Sequence, residues 1–223
     1  MDFQVSFKLN DSIYLRNPEG SEIGKKMVKN AIDLIYTLGF EQFTFKKLAI
    51  ELKSTEATIY RYFKNKHSIL LYILNWYWCY MEFLLMFKLQ NIENTEEKLK
   101  TIIFLLTHEF PESSGQFDYN KKFLNQIVIA ESSKAYLVKE VLEINKNEVF
   151  KPYKDLCTTI SIVIKEFNPQ YLYSRSLSST LIETAHSQQF FSQYLPKLTD
   201  VDLKNSSEFT NIFLTDLLFK ALA

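Results

Sequence analysis

The densest run of chemistry-bearing side chains lies between Thr55 and Lys66 (TEATIYRYFKNK). Thr55, Thr58, Tyr60 and Tyr62, with Thr44 upstream, offer hydroxyl donors, and Arg61, Lys64 and Lys66 offer cations. Interleaved hydroxyls and cations suit the oxygens of a phosphodiester backbone. The Arg61 fork fits guanine O6 and N7 as well as it fits a phosphate. Charge placement points the same way. Residues 21–68 hold nine Lys/Arg against five Asp/Glu, a net +4 in a chain whose total is zero. A basic N-terminal module on an acidic body is directed at a polyanion.

Three short helices must position these groups. Ile23, Met27, Ala31, Leu34, Ile35 and Leu38 recur at spacings of three and four, predicting a helix over 22–38 with Gly39 at its end. Thr44 and Thr55 are N-cap residues for helices at 45–52 and 56–62. Leu48, Ala49, Leu52, Ile59 and Phe63 supply a small core, with Ala49 where two helices cross closely. Asn65 caps a long helix over 66–89. This is a helix-turn-helix arrangement followed by a long helix. The helix carrying Glu56, Ala57, Thr58, Tyr60, Arg61 and Tyr62 fits a major groove. Lys66 adds charge at the partly positive start of the next helix. The alternative use of the Tyr60 and Tyr62 rings is packing between helices.

Residues 23–70 resemble the DNA-binding domain of the TetR family of repressors. The likeness is carried by Ala31–Leu34, Gly39-Phe40, Phe43-Thr44, Leu48-Ala49, Thr55, Thr58-Ile59-Tyr60, Tyr62-Phe63, Asn65-Lys66 and Leu70. The run TIYRYFKNK is its most specific part. The resemblance implies phosphate contacts from Tyr60, Tyr62 and Lys66, assisted by Thr44 and Thr55, with Glu56, Ala57 and Arg61 facing bases. The turn departs from the family pattern, with Lys53-Ser54 where Gly and an apolar residue are usual. A non-glycine in a left-handed turn there costs about 1 kcal/mol.

The residue pattern predicts an all-α chain of about nine helices, with a flexible arm (1–20) ahead of the helix-turn-helix domain (21–68), and the resemblance implies that the helical remainder (69–223) is a ligand-binding and dimerisation domain. Apolar periodicity independently predicts further helices at 96–110, 120–132, 136–167, 170–194 and 207–222, with Pro152 breaking the third of these. Trp76, Tyr80, Phe83, Phe104, His108, Phe123, Gln126 and Tyr153 are candidates to line a pocket for an apolar or aromatic effector. The same rings at helical spacing also suit an ordinary core. Leu177, Leu181, Ile182, Ala185, Phe213, Leu217 and Leu218 are candidates for a homodimer interface, since the family pairs its last two helices.

Other classes are disfavoured. Four Gly and five Pro are too few for the turns of an all-β or doubly wound fold. No GxSxG, HExxH or GxGxxG occurs, and His67, His108 and His186 are scattered, so neither an enzyme, a metal site nor a cofactor is expected. Cys79 and Cys157 stand apart as reduced thiols, and residues 1–20 lack a secretory apolar stretch, so the expected location is the cytoplasm. The apolar run 69–89 is long enough for a membrane, but Glu82 within it would cost about 2.5–3.5 kcal/mol near the bilayer centre. A buried helix is expected instead. The function expected is a repressor that binds a palindromic operator as a dimer and releases it on effector binding. The alternatives are a helical adaptor using the basic module on protein, and an activator or nucleoid-associated DNA binder without an effector.

Overall fold

A computed structural model describes residues 7–108, 119–136, 138–200 and 205–223. The described residues form helices α1 (Glu22–Leu38), α2 (Phe45–Glu51), α3 (Glu56–Tyr60), α4 (Lys66–Leu89), α5 (Thr95–Thr107), α6 (Lys121–Glu131), α7 (Ser133–Tyr136), α8 (Val141–Lys146), α9 (Lys151–Phe167), α10 (Ser174–Tyr194) and α11 (Ser206–Leu222). No strand occurs among them. The excess of two over nine comes from α7, a separate helical turn at Ser133–Tyr136, and from 136–167, which is not one helix. Glu148 takes φ +56 and ends α8, and Pro152 falls in the first turn of α9, where its missing N–H costs nothing. Phe110 lies outside the described residues.

The chain divides into two compact units. The first holds the described residues of Met1–Tyr77 and Pro111–Lys151; the second holds those of Trp78–Phe110 and Pro152–Ala223. The long helix α4 contributes its first half to one unit and its second half to the other.

Local chemistry fixes the elements of the first unit. Ser21 Oγ accepts from Gly24 N at 3.2 Å and starts α1. Met27, Val28, Ala31, Ile32 and Ile35 are buried on its inner face. Gly39, at φ +77, ends α1 in a conformation that a side chain would strain. Thr44 Oγ1 accepts from Lys47 N at 3.2 Å to cap α2, and Asn65 Oδ1 accepts from Ser68 N at 2.9 Å to cap α4. Between α2 and α3 the turn passes through Lys53 at φ +50, the left-handed geometry that the missing glycine would have made easy. Phe43, Leu48, Ala49, Ile59 and Phe63 form the core beneath these helices, while Leu52 is only half-buried.

Residues 7–20 are packed rather than free. They hold two 3-10 turns, Asp11–Ile13 and Pro18–Gly20, and bury Leu9, Ile13 and Pro18. Glu19 accepts hydrogen bonds from the hydroxyls of Tyr72 at 3.2 Å and Tyr119 at 2.7 Å. Three apolar anchors and one carboxylate between tyrosines hold a segment too short for periodicity to announce. Elsewhere in this unit, Glu131 Oε1 accepts from Phe40 N at 3.0 Å, and Glu131 Oε2 lies 2.7 Å from Lys134 Nζ. The corner of α6 and α7 thus grips the turn that follows α1.

In the second unit α5, α10 and α11 pack on one another. The inward line of α11 is Thr210, Leu214, Leu218 and Leu222, at intervals of four. Ser161 Oγ donates to Ser174 Oγ at 2.9 Å, and Lys98 pairs with Glu166 at 2.7 Å, tying α9 to α10 and to α5. The helix α4 is long and apolar enough to cross a membrane, and most of it is buried in the protein interior. Its apolar residues run all around the helix, as burial of its first half requires, while Phe83, Met86 and Phe87 near its end are exposed.

Candidate functional site

The first unit presents a concave groove of about 280 Å³ lined by Phe43, Thr44, Phe45, Lys46, Glu56, Tyr60, Asn65 and Lys66. Three elements build it. The start of α2 supplies Thr44 and Lys46, α3 supplies Glu56 and Tyr60, and the start of α4 supplies Lys66. Phe45, edge-on to Tyr60 with ring centroids 4.9 Å apart, fixes the direction of the tyrosine, which remains half exposed. Thr44, Thr55, Glu56, Ala57, Tyr60 and Arg61 are all exposed around this surface, with Thr58 half-buried. Thr55 and Thr58 hydroxyls lie 3.2 Å apart. Hydroxyl donors and ammonium groups therefore converge, beside the Glu56 carboxylate, on a groove whose Thr44, Lys46, Tyr60 and Lys66 suit a phosphate oxygen, and Arg61 is exposed at the end of α3.

Lys66 has a second occupation that its sequence position did not disclose. Its Nζ donates to the carbonyls of Phe40 and Glu41, both at 3.1 Å, and sits 4.6 Å from the centroid of the Phe40 ring. Two of its three N–H groups hold the turn after α1, which leaves one for an incoming anion.

Tyr62 is the exception among the expected contacts. It is 2% exposed, and its hydroxyl lies 2.8 Å from Ser21 Oγ. Residues two apart on a helix point about 200° from each other, so with Tyr60 outward Tyr62 is turned into the core. The expectation of a phosphate contact from Tyr62 is corrected accordingly.

The expected effector residues are not gathered into one place. In the first unit, Trp76 is buried, edge-on to Tyr119 at 5.1 Å, and Phe123 stacks on Tyr36 at 3.8 Å, with Gln126 on the same helix as Phe123. In the second unit, Tyr80 is buried, Phe83 faces outward beside Phe87, and the Tyr153 hydroxyl donates to Glu183 at 2.7 Å. His108 stacks on Phe104 at 4.0 Å, with its Nε2 3.8 Å from Glu208. Of the eight, only Phe104 lines the cavity of about 650 Å³ in the second unit. Its other walls are Lys88, Ile92, Lys100, Thr101, Leu105, Asn211 and Thr215. Lysines and threonines gave no periodic signal of a pocket, which is why they were not anticipated. Helical spacing marked the rings, and most of those rings serve packing.

The expected dimer residues divide as well. Leu177, Leu181, Ile182, Ala185 and Leu218 are buried within the single chain. Those five are corrected: their apolar lines are satisfied by their own chain. Leu217 is half-buried, and Phe213 is exposed along with Phe209 and Ile212 on the outer side of α11.

Among the described residues no three His, Cys, Asp or Glu come together as a metal site. Burial, followed by the nearby Glu183, pushes the Cys157 thiol up to about 11, so it is no thiolate nucleophile near neutral pH.

Residues 28–73 match the family described as bacterial regulatory proteins, tetR family. No curated protein matches the chain. Among solved structures, one similar chain is AibR in complex with isovaleryl coenzyme A and operator DNA, at 14% identity, 89% of this chain and 98% of that one, with a TM-score of 0.61. A second is the transcriptional regulator FadR from Bacillus subtilis in complex with stearoyl-CoA, at 18% identity over 85% and 96%, with a TM-score of 0.60. A third is a TetR-family transcriptional regulator from Syntrophomonas wolfei str. Goettingen, at 13% identity over 89% and 95%, with a TM-score of 0.62. At these identities the likeness is one of fold.

Proposed function

We propose that this chain, whose residues 28–73 match the tetR family of bacterial regulatory proteins, is a ligand-responsive DNA-binding repressor that binds a palindromic operator as a homodimer. The observation that carries the reading is the convergence of Thr44, Lys46, Tyr60 and Lys66 on one groove beside the exposed face of α3. Phosphate oxygens seated there fix the register of the duplex, and Glu56, Ala57 and Arg61 then meet base edges in the major groove. A five-residue recognition helix reads few bases, so a two-fold pair on a palindrome supplies the missing specificity. The outward residues Phe209, Ile212 and Phe213 of α11 support that pairing. The protein acts in the cytoplasm and carries out no catalytic reaction.

The effector enters the cavity of the second unit. Its apolar walls Ile92, Phe104 and Leu105 and its lysines Lys88 and Lys100 favour a molecule with an apolar body and an anionic end. That similar folds hold isovaleryl coenzyme A and stearoyl-CoA makes acyl-CoA the first class to test. Coupling runs through α4, which contributes to both units; an effector that binds the DNA-free state better lowers operator affinity by that difference alone.

Fluorescence-anisotropy titration of the full chain against its own upstream intergenic duplex tests this, with an unrelated duplex and Tyr60→Phe and Lys66→Ala variants alongside. Tighter, salt-sensitive binding to the upstream duplex that both variants weaken supports the repressor. Equal binding to both duplexes, or variants that bind like the parent, refutes it. Unchanged operator affinity at saturating acyl-CoA refutes the effector class.

A further inference from the structure

The segment ahead of α1 lies outside the matched residues 28–73, yet it is fastened to the end of the recognition helix. Leu15 N donates to Tyr62 O at 2.7 Å, two residues beyond the last residue of α3. The next residue, Arg16, places its guanidinium carbon 5.2 Å from the centroid of the Tyr62 ring. The hydroxyl of that same ring reaches Ser21, the N-cap of α1. One cation, one buried ring and two helix ends therefore form a single cluster.

Arg16 rides on a fixed base. Leu9, Ile13 and Pro18 are buried to either side of it, and Asn10 Nδ2 donates to Asn147 O at 2.6 Å. Its own side chain is exposed, and among the described residues it makes no ion pair. The neighbouring acids have other occupations: Glu19 is held by Tyr72 and Tyr119, and Asp11 by the Tyr14 hydroxyl. A guanidinium lying over a ring keeps the N–H groups of its edge for other acceptors. It is also partly ordered before any partner arrives, which lowers the entropy lost on contact.

We propose that Arg16 is a DNA-backbone contact, held by Tyr62 beside the end of α3 so that its guanidinium meets a phosphate flanking the groove that α3 enters. The proposal rests on the reading of the first unit as a duplex-DNA binder. It extends that surface to the segment before α1, and it gives buried Tyr62 a role in DNA binding that it performs through Arg16.

Each neutralised phosphate contributes about 0.9 to the slope of log affinity against log salt. The test measures that slope by anisotropy for the full chain, Arg16→Ala and Arg16→Lys, on the upstream duplex and on an unrelated duplex. A thermal melt of each variant accompanies it. The expected result is a slope shallower by about 0.9 for each bound protomer in Arg16→Ala, on both duplexes, and restored by Arg16→Lys, with the melts unchanged. Affinity that falls while the slope stays at its parental value assigns Arg16 to bracing Tyr62 and overturns the contact. An unchanged affinity and slope overturn it as well. A parental chain that binds neither duplex refutes the DNA reading itself, a different outcome from the loss of this one contact.

Discussion

Replacing Glu131 separates a buried hydrogen bond from a buried charge. Its carboxylate, 8% exposed, accepts from Phe40 N at 3.0 Å and pairs with Lys134 at 2.7 Å. Glu131→Ala leaves the Phe40 N–H buried without an acceptor, a loss of about 1–3 kcal/mol. Lys134 contributes less to the loss. Its side chain is 35% exposed and keeps Glu41 at 3.2 Å, so the broken pair adds at most about 1 kcal/mol after screening. The expected total is about 1–4 kcal/mol. Glu131→Gln keeps a carbonyl acceptor for Phe40 and forfeits only the charge, for about 1 kcal/mol or less. Urea unfolding followed by far-ultraviolet circular dichroism checks both, with midpoint and slope compared so that a change in cooperativity is not read as stability. Because Phe40 begins the turn leading to α2, Glu131→Ala also weakens operator binding more than Glu131→Gln does. Equal destabilisation by the two variants would refute the reasoning, since the hydrogen bond to Phe40 would then carry none of the difference.

Three further outcomes follow from named contacts. His186 is buried beside Trp78 and its pKa is pushed down by burial to about 4 from 6.5; the unfolded chain therefore takes the proton first. Stability is held above about pH 6.5 and declines toward pH 4 by up to about 3 kcal/mol. His67, also lowered chiefly by burial, acts in the same direction. Denaturation midpoints of the parent and His186→Gln, measured across this range, should show a flatter profile for the variant. Lys53→Gly relieves the positive φ of the turn before α3 and raises the melting temperature by the equivalent of at most about 1 kcal/mol, the greater flexibility of the unfolded chain opposing it. Gly24→Ala would set a Cβ 2.3 Å from the Pro18 carbonyl oxygen, whereas a Cβ at Gly20 meets nothing within 4 Å. The first change should destabilise by about 1–3 kcal/mol and the second should be close to neutral in the same melts.

What the sequence disclosed follows the range of the interactions involved. Thr44 and Asn65 cap helices through hydrogen bonds spanning three residues, so the starts of α2 and α4 were legible from local patterns, while the start of α1 was legible from the apolar spacing that begins at Ile23. The groove was legible in part, because Thr44, Tyr60 and Lys66 come from three consecutive helices with short turns. Tyr62 was within reach of the same reasoning, since an outward Tyr60 turns its second neighbour inward. The rest depends on distant partners. An apolar line on α10 looks the same whether it meets α11 of its own chain or a second chain, and the two cannot be separated by periodicity. Aromatic residues on α4 likewise carry no mark that distinguishes core from pocket. The cavity lining of Lys88, Lys100, Asn211 and Thr215 comes from helices far apart in sequence, with no common pattern. The packing of residues 7–20 rests on Leu9, Ile13 and Glu19, too few for a periodic signal.

The most direct test of the account is nuclease footprinting of the upstream intergenic DNA by the full chain. The account predicts protection of two inverted half-sites whose centres lie about one DNA turn, roughly 34–36 Å, or a multiple of it apart. That protection should be lost in the Tyr60→Phe, Lys66→Ala double variant and relieved by the effector. Uniform protection without half-sites, or a footprint that survives the double variant, would contradict it.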